Sequence, residues 1–189
     1  MAHDREIRFA VVPCAGASPS VPLRHHQPRD RALFSLIYFY GLRVSEACSL
    51  DRANLDLDRL KIRILRSKNG IPGEKPLFRS LVTPLRDYLA SRRDDDPALF
   101  VGRQGRLGIR QIQALFRRYA SLAALPPAHR HVHLLRHSIA THLLDAGEPI
   151  DFVKDHLGHR SIESTLIYAR ISDRRRTRTI RRLERSLEI

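Results

Sequence analysis

The chain has no tryptophan, one methionine and only two cysteines among its 189 residues. Cys14 and Cys48 are too few and too far apart to make a disulfide framework, and Cys48, in an apolar helical stretch, reads as a small buried hydrophobe. That usage fits a reducing cytosol. Long hydrophobic runs are missing too. The longest, LFSLIYFYGL at 33–42, is too short to cross a bilayer. The apolar FAVVPCAGA near the start follows Asp4 and Glu6 and continues into no long hydrophobic region, so neither a signal peptide nor a membrane anchor is expected. There are no repeats, no low-complexity tract and no glycine-rich nucleotide loop. Acid is scarce: 20 Asp and Glu face 34 Lys and Arg, giving a net charge of +14 and a pI near 11.0. Such an excess calls for an acidic partner, and for a compact domain that partner is most commonly nucleic acid. The basic residues occur in every segment, so a face of the domain rather than one tail is placed to meet it.

What is present is the composition of one globular domain, 42% hydrophobic and 29% charged. Residues 1–28 are rich in Pro, Ala, Ser and His without a sustained period and read as an irregular lead-in. Pro28 and Asp30 open a helix over 30–42 with Leu33, Leu36, Ile37 and Tyr40 inward. A turn at Gly41 leads to a short helix over 43–50, whose inward Val44, Ala47 and Cys48 leave Arg43 and Glu46 to a cleft. Alternation at Leu55, Leu57, Leu60, Ile62 and Ile64 predicts a strand over 54–65. RSKNGIPGEKPLF then makes a hairpin loop, with Lys68 on a basic turn and Lys75 beside the returning strand. Helices follow over 81–92 and 109–123. The second turns Arg110, Gln111, Gln113, Arg117 and Arg118 outward, either as a solvated face or toward phosphates and base edges in a groove.

The stretch 131–168 carries the chemistry. His133 and Arg136 share a helical face one turn apart, while Leu134, Leu135, Ile139, Leu143 and Leu144 form the packing stripe. Gly147 and Pro149 end that helix. LGHRS then supplies a turn at Gly158, His159 and a capping Ser161 ahead of a last helix bearing Tyr168. Arginine grips two phosphate oxygens with one planar fork, histidine moves protons near neutral pH, and tyrosine offers a hydroxyl nucleophile. The set suits a phosphodiester. His129, His131, His133, His137 and His142 are dense enough to suggest a metal, but no cysteine joins them and their spacing suits no standard zinc module, so no metal and no cofactor is expected.

H-x-x-R at 133–136, L-G-H at 157–159 and a tyrosine nine residues later, preceded by YGLRVSEACSL and a hairpin lysine, resemble the tyrosine recombinases, or phage integrases. The order-preserving match runs from about Leu33 to Ile171. RSKNG replaces the family's usual G-K-G, an irregular loop similar to that of the fimbrial phase-switch invertases. The resemblance implies an α+β, mostly helical catalytic domain with a small antiparallel sheet. Its catalytic residues would be Arg43, Lys68, His133, Arg136, His159 and Tyr168, with Glu46 supporting Arg43 or His133. It implies site-specific cleavage and rejoining of double-stranded DNA through a 3′-phosphotyrosyl intermediate, without metal, in integration, excision or inversion. Lys68 would be the general acid. A type IB topoisomerase shares the residue set, and a non-catalytic DNA-binding module of the same fold is the other alternative. The expected organisation is a lead-in at 1–28, a catalytic domain at 29–173 and a basic tail helix at 174–189, with Ile180, Leu183 and Leu187 in a stripe that docks into a neighbouring protomer. Expected partners are DNA, further copies of the chain (dimer to tetramer) on DNA and accessory DNA-bending proteins, in the cytoplasm at a prokaryotic nucleoid. The pattern leaves no room ahead of residue 30 for the family's N-terminal DNA clamp, so the chain is either a short member or a fragment of a longer recombinase.

Overall fold

The computed structural model describes residues 8–10, 20–22, 27–66, 73–159, 161, 163 and 165–166. Helix α1 (Pro28–Phe39) is the centre of the molecule. Its Ala32, Leu33, Phe34, Ser35, Leu36 and Ile37 are all buried, a helix enclosed on nearly every side rather than along one stripe. It packs on α3 (Arg79–Ser91) and on α5 (His133–Ala146). Against Phe34, α4 (Ile109–Leu122) sets Phe116 and Tyr119 edge-on at 5.6 and 5.9 Å, with Ile112 and Ala120 completing its inward face. Each such fully buried apolar side chain contributes roughly 1.5–3 kcal/mol. Asp30 at the start of α1 is buried, but it accepts a 2.6 Å bond from the Tyr119 hydroxyl and pairs with Arg29 at 2.7 Å.

The expected single strand over 54–65 is two. β3 (Leu55–Asp56) and β4 (Lys61–Ile64) pair antiparallel around a turn in which Leu60 takes a left-handed φ of 53°. The apolar spacing lengthens from two to three between Leu57 and Leu60, the point where the alternation breaks. β5 (Gly73–Pro76) adds to the other edge of β4, with Ile62 opposite Lys75. The sheet is fastened to α1 by the Tyr40 hydroxyl, which donates to the Pro76 carbonyl at 2.8 Å. A second hairpin, β6 (Val101–Gly102) with β7 (Gly105–Arg106), precedes α4. Within the irregular lead-in, β1 (Arg8–Ala10) and β2 (Ser20–Pro22) pair antiparallel; three-residue strands leave no period in a sequence.

A smaller core joins α5 to α6 (Ile150–Leu157) through Ile139, Ala140, Leu144, Val153 and Leu157. Leu157 reaches the turn after α1. Gly41 there has φ +55°, and a Cβ on it would lie 2.3 Å from Leu157 Cδ2. Both the backbone and the space demand glycine, and this contact brings the end of α6 to the beginning of α2 (Val44–Cys48). Among the described residues no helix is long and apolar enough to cross a membrane.

Candidate functional site

Arg43 is the N-cap residue of α2, and Glu46 lies one turn along. The Glu46 carboxylate accepts the Arg43 backbone N–H at 2.9 Å through Oε2 and the Arg43 guanidinium at 2.9 Å through Oε1. Its side chain is fully buried, whereas that of Arg43 remains 33% exposed. Arg43 is therefore gripped from behind and open in front. Burial alone would raise the Glu46 carboxyl, but the Arg43 N–H, the Arg66 charge and the Arg43 guanidinium outweigh it and hold it below the usual carboxylate range.

Arg136 comes from the opposite side, on α5. It is 1% exposed, among the largest fully buried side chains, and its Nη1 donates to the carbonyl of Gly41. Burying a guanidinium is costly without partners, so the carbonyl of a turn only glycine can make is part of what holds it. His133 starts α5 with an exposed ring that meets His137 edge-on at 4.5 Å. His159 follows the left-handed Gly158 at the end of α6, and its Nδ1 lies 2.8 Å from the hydroxyl of the buried Thr165. Ser161 Oγ accepts the Glu163 N–H at 3.2 Å, a cap where the last helix was expected to begin.

These side chains share one electrostatic field. Desolvation, then Arg136, Arg43, His133 and Arg66, lower His159 to about 4. Desolvation, then His137, Arg136, His131 and Arg43, lower His133 to about 4. Both imidazoles are neutral at pH 7 beside two guanidiniums. The arrangement has the chemistry to receive an anion: two planar cations to neutralise it and two neutral rings able to donate, accept or relay a proton.

Two residues that the sequence left unremarked, Arg66 and His156, belong here, as does Lys75, expected beside the returning strand. Arg66 is buried against Glu46 at 3.0 Å. His156 is buried on α6, with its Nε2–H donating to the Phe39 carbonyl at 2.8 Å. Lys75, half-buried, reaches the His156 carbonyl at 3.4 Å, and desolvation followed by the Arg66 charge lowers its ammonium. A signal existed for Arg66: it continues the inward phase of Ile62 and Ile64 along β4. Lys68 and Tyr168 lie outside the described residues.

The other tyrosines are committed elsewhere. Tyr38 bonds His142 Nδ1 at 2.6 Å, Tyr40 the Pro76 carbonyl, Tyr119 the buried Asp30, and the Tyr88 hydroxyl accepts the Val101 N–H at 3.1 Å. Burial pushes Tyr38 and Tyr40 up to about 12 and raises Tyr88; it also raises Tyr119, with Asp30 adding to the rise. None of the four is suited to ionise and attack. On α4, Arg110, Gln111, Gln113, Arg117 and Arg118 are exposed. Gln111 Oε1 turns back to the Gly108 N–H at 2.7 Å, closing the helix's first turn. Its role is in part a cap.

Residues 19–175 match the model of the phage integrase family. Tyrosine recombinase XerC of Corynebacterium glutamicum is 38% identical over 151 residues, 78% of this chain and 48% of the relative. XerC of Chromobacterium violaceum is 40% identical over 143 residues, 74% of this chain and 47% of the relative. The crystal structure of XerA recombinase superposes with a TM-score of 0.68 at 27% identity, covering 86% of this chain and 59% of that one. XerH site-specific recombinase bound to its difH substrate in a pre-cleavage complex gives 0.65 at 26%, covering 75% and 42%. The chain spans about half the length of the curated relatives it matches.

Proposed function

The chain belongs to the phage integrase family, the tyrosine recombinases, and from that premise we propose that it cleaves and rejoins double-stranded DNA at specific sites, with Tyr168 as the nucleophile. The observation that carries this reading is the proximity of Arg43, Arg136, His133 and His159, near enough that both arginines lower both imidazoles. Arg43 and Arg136 bind the non-bridging oxygens of the scissile phosphate and offset the charge that builds up during attack. A tyrosine hydroxyl, with a pKa of about 10, must lose its proton to attack. Neutral His133 accepts or relays that proton, and His159 bonds the phosphate. Lys68 protonates the departing 5′ oxygen, and a partner strand's 5′ hydroxyl later reverses the step. The phosphotyrosyl bond stores the energy of the broken one. Among five tyrosines, four hold the core together, which supports Tyr168 by elimination.

The net charge of +14 and the outer face of α4, with Arg110, Gln111, Arg117 and Arg118, bind the duplex, chiefly through phosphates. Copies of the chain assemble on DNA as dimers to tetramers, the tail at 174–189 docking on a neighbour, with accessory DNA-bending proteins aiding assembly at the nucleoid.

The test is covalent capture. The full chain is incubated with nicked duplexes carrying randomised arms, then denatured in detergent. The proposal expects protein–DNA adducts enriched in one sequence, with a free 5′ hydroxyl on the released strand. Sequence-independent adducts on intact duplex would point to topoisomerase-like cleavage. Tight binding with no adduct would leave a DNA-binding module.

A further inference from the structure

Building on the proposed recombinase chemistry, we infer that Arg66 is a positioning residue that sets Arg43 and His159 at a fixed separation across the scissile phosphate. Its side chain is 4% exposed. One nitrogen donates to Glu46 Oε2 at 3.0 Å; the other donates to the carbonyls of Tyr40 at 3.1 Å and His156 at 2.5 Å. One guanidinium thus joins the end of α1, the start of α2 and the end of α6.

Each attachment leads to the phosphate-binding set. By occupying Oε2, Arg66 fixes the rotation of the Glu46 carboxylate and so aims Oε1 at the Arg43 guanidinium. By holding the His156 carbonyl it anchors the last turn of α6, immediately before the turn that presents His159. Gly158 is fitted to it: a Cβ there would lie 2.9 Å from Arg66 Cδ and Nε. The cation also complements the negative end of α6, where Lys75 approaches the same carbonyl. Desolvation lowers the Arg66 pKa, with Glu46 the main opposing influence. Glu46 is shared between two arginines, which leaves the open face of Arg43 with net positive charge for the substrate. A lysine reaches one of the three acceptors in the required direction, not all three.

The test compares wild type, Arg66→Met and Arg66→Lys in the full chain. On the free protein, NMR reads exchange of the Arg43 guanidinium protons, which should quicken about tenfold or more in Arg66→Met, the loss of one charged hydrogen bond's restraint. On the duplex recovered by covalent capture, single-turnover adduct formation should fall about 100-fold, the effect of misplacing a reacting group by an ångström, with DNA affinity within about threefold. A duplex with a neutral methylphosphonate at the scissile position relies less on aimed arginines, so the Arg66→Met defect should shrink there severalfold. Arg66→Lys should fall between the two on the phosphodiester, and it is read alone if Arg66→Met does not fold. Unchanged Arg43 exchange, or equal losses on the charged and neutral substrates, overturns the inference. Unchanged Arg43 exchange counts against Arg66 even if no duplex is cleaved, whereas failure of the wild type to form any adduct counts against the proposed function.

Discussion

Arg136 donates its guanidinium proton to the carbonyl of Gly41, two residues before Arg43. Two arginines distant in sequence are thereby held by one turn, so their spacing depends on backbone and not on a flexible surface contact. Arg43→Lys and Arg136→Lys should each cut single-turnover adduct formation by about 10²–10³-fold, since a point ammonium cannot replace a fork. DNA binding should persist because the charge does. Rates within a fewfold of wild type for either variant would remove that arginine from the phosphate.

Gly41→Ala should destabilise the fold by about 2–4 kcal/mol, combining left-handed strain with overpacking against Leu157. Leu157→Ala in the same background should relieve the overpacking share, making the double variant less unstable than the sum of the singles. Chemical denaturation of the four proteins reads this directly, and strict additivity would mean the two side chains do not meet.

Much of this arrangement is written in local sequence. Period-3.6 apolar residues mark α3, α4 and α5, a nearly continuous apolar run marks α1, and the glycines at 41, 147 and 158 mark the turns after α1, α5 and α6, because those signals act within a few residues. Arg66 escapes notice because its three acceptors lie 20 to 90 residues away, and a basic residue before a hairpin loop resembles any solubilising charge. His156 escapes for the same reason: on α6 it reads as a polar residue, while its partner is a carbonyl at the end of α1. Glu46, expected to support Arg43 or His133, bonds Arg43; its second arginine, Arg66, comes from 20 residues away. Periodicity can mark such a residue as inward, as the alternation through Ile62 and Ile64 does for Arg66, but it does not report which distant groups the residue meets.

His156 sets a pH dependence. Its folded pKa is about 4, lowered first by burial, against an ordinary 6.5. Between those values the unfolded chain takes a proton that the folded chain refuses, so stability is full above pH 6.5 and falls as pH drops toward 4. His159, lowered to about 4 as well, adds in the same direction. The denaturant midpoint should decline from pH 7 to pH 5, and less steeply in His156→Gln, which keeps a donor for Phe39. An identical pH slope in the variant would show that His156 takes up its proton as readily in the folded chain as in the unfolded one.

Lys68→Ala should slow cleavage of the ordinary duplex by about 10²–10⁴-fold, as expected for loss of a general acid. A 5′-thio leaving group needs no proton, so a bridging phosphorothiolate should restore most of the rate. Without that rescue the proton comes from elsewhere, and Lys75, half-buried beside the His156 carbonyl, is the next residue to test.

The most direct measurement of the central assignment is mass spectrometry of the trypsin-digested adduct. Cleavage after Arg160 and Arg170 isolates Tyr168 as the one tyrosine in the peptide 161–170. Attack by Tyr168 predicts nucleotide mass on that peptide, attached to the tyrosine, and no adduct at all from Tyr168→Phe despite near-normal DNA binding. Nucleotide mass on a peptide bearing Tyr38, Tyr40, Tyr88 or Tyr119, or an undiminished adduct from Tyr168→Phe, would contradict it.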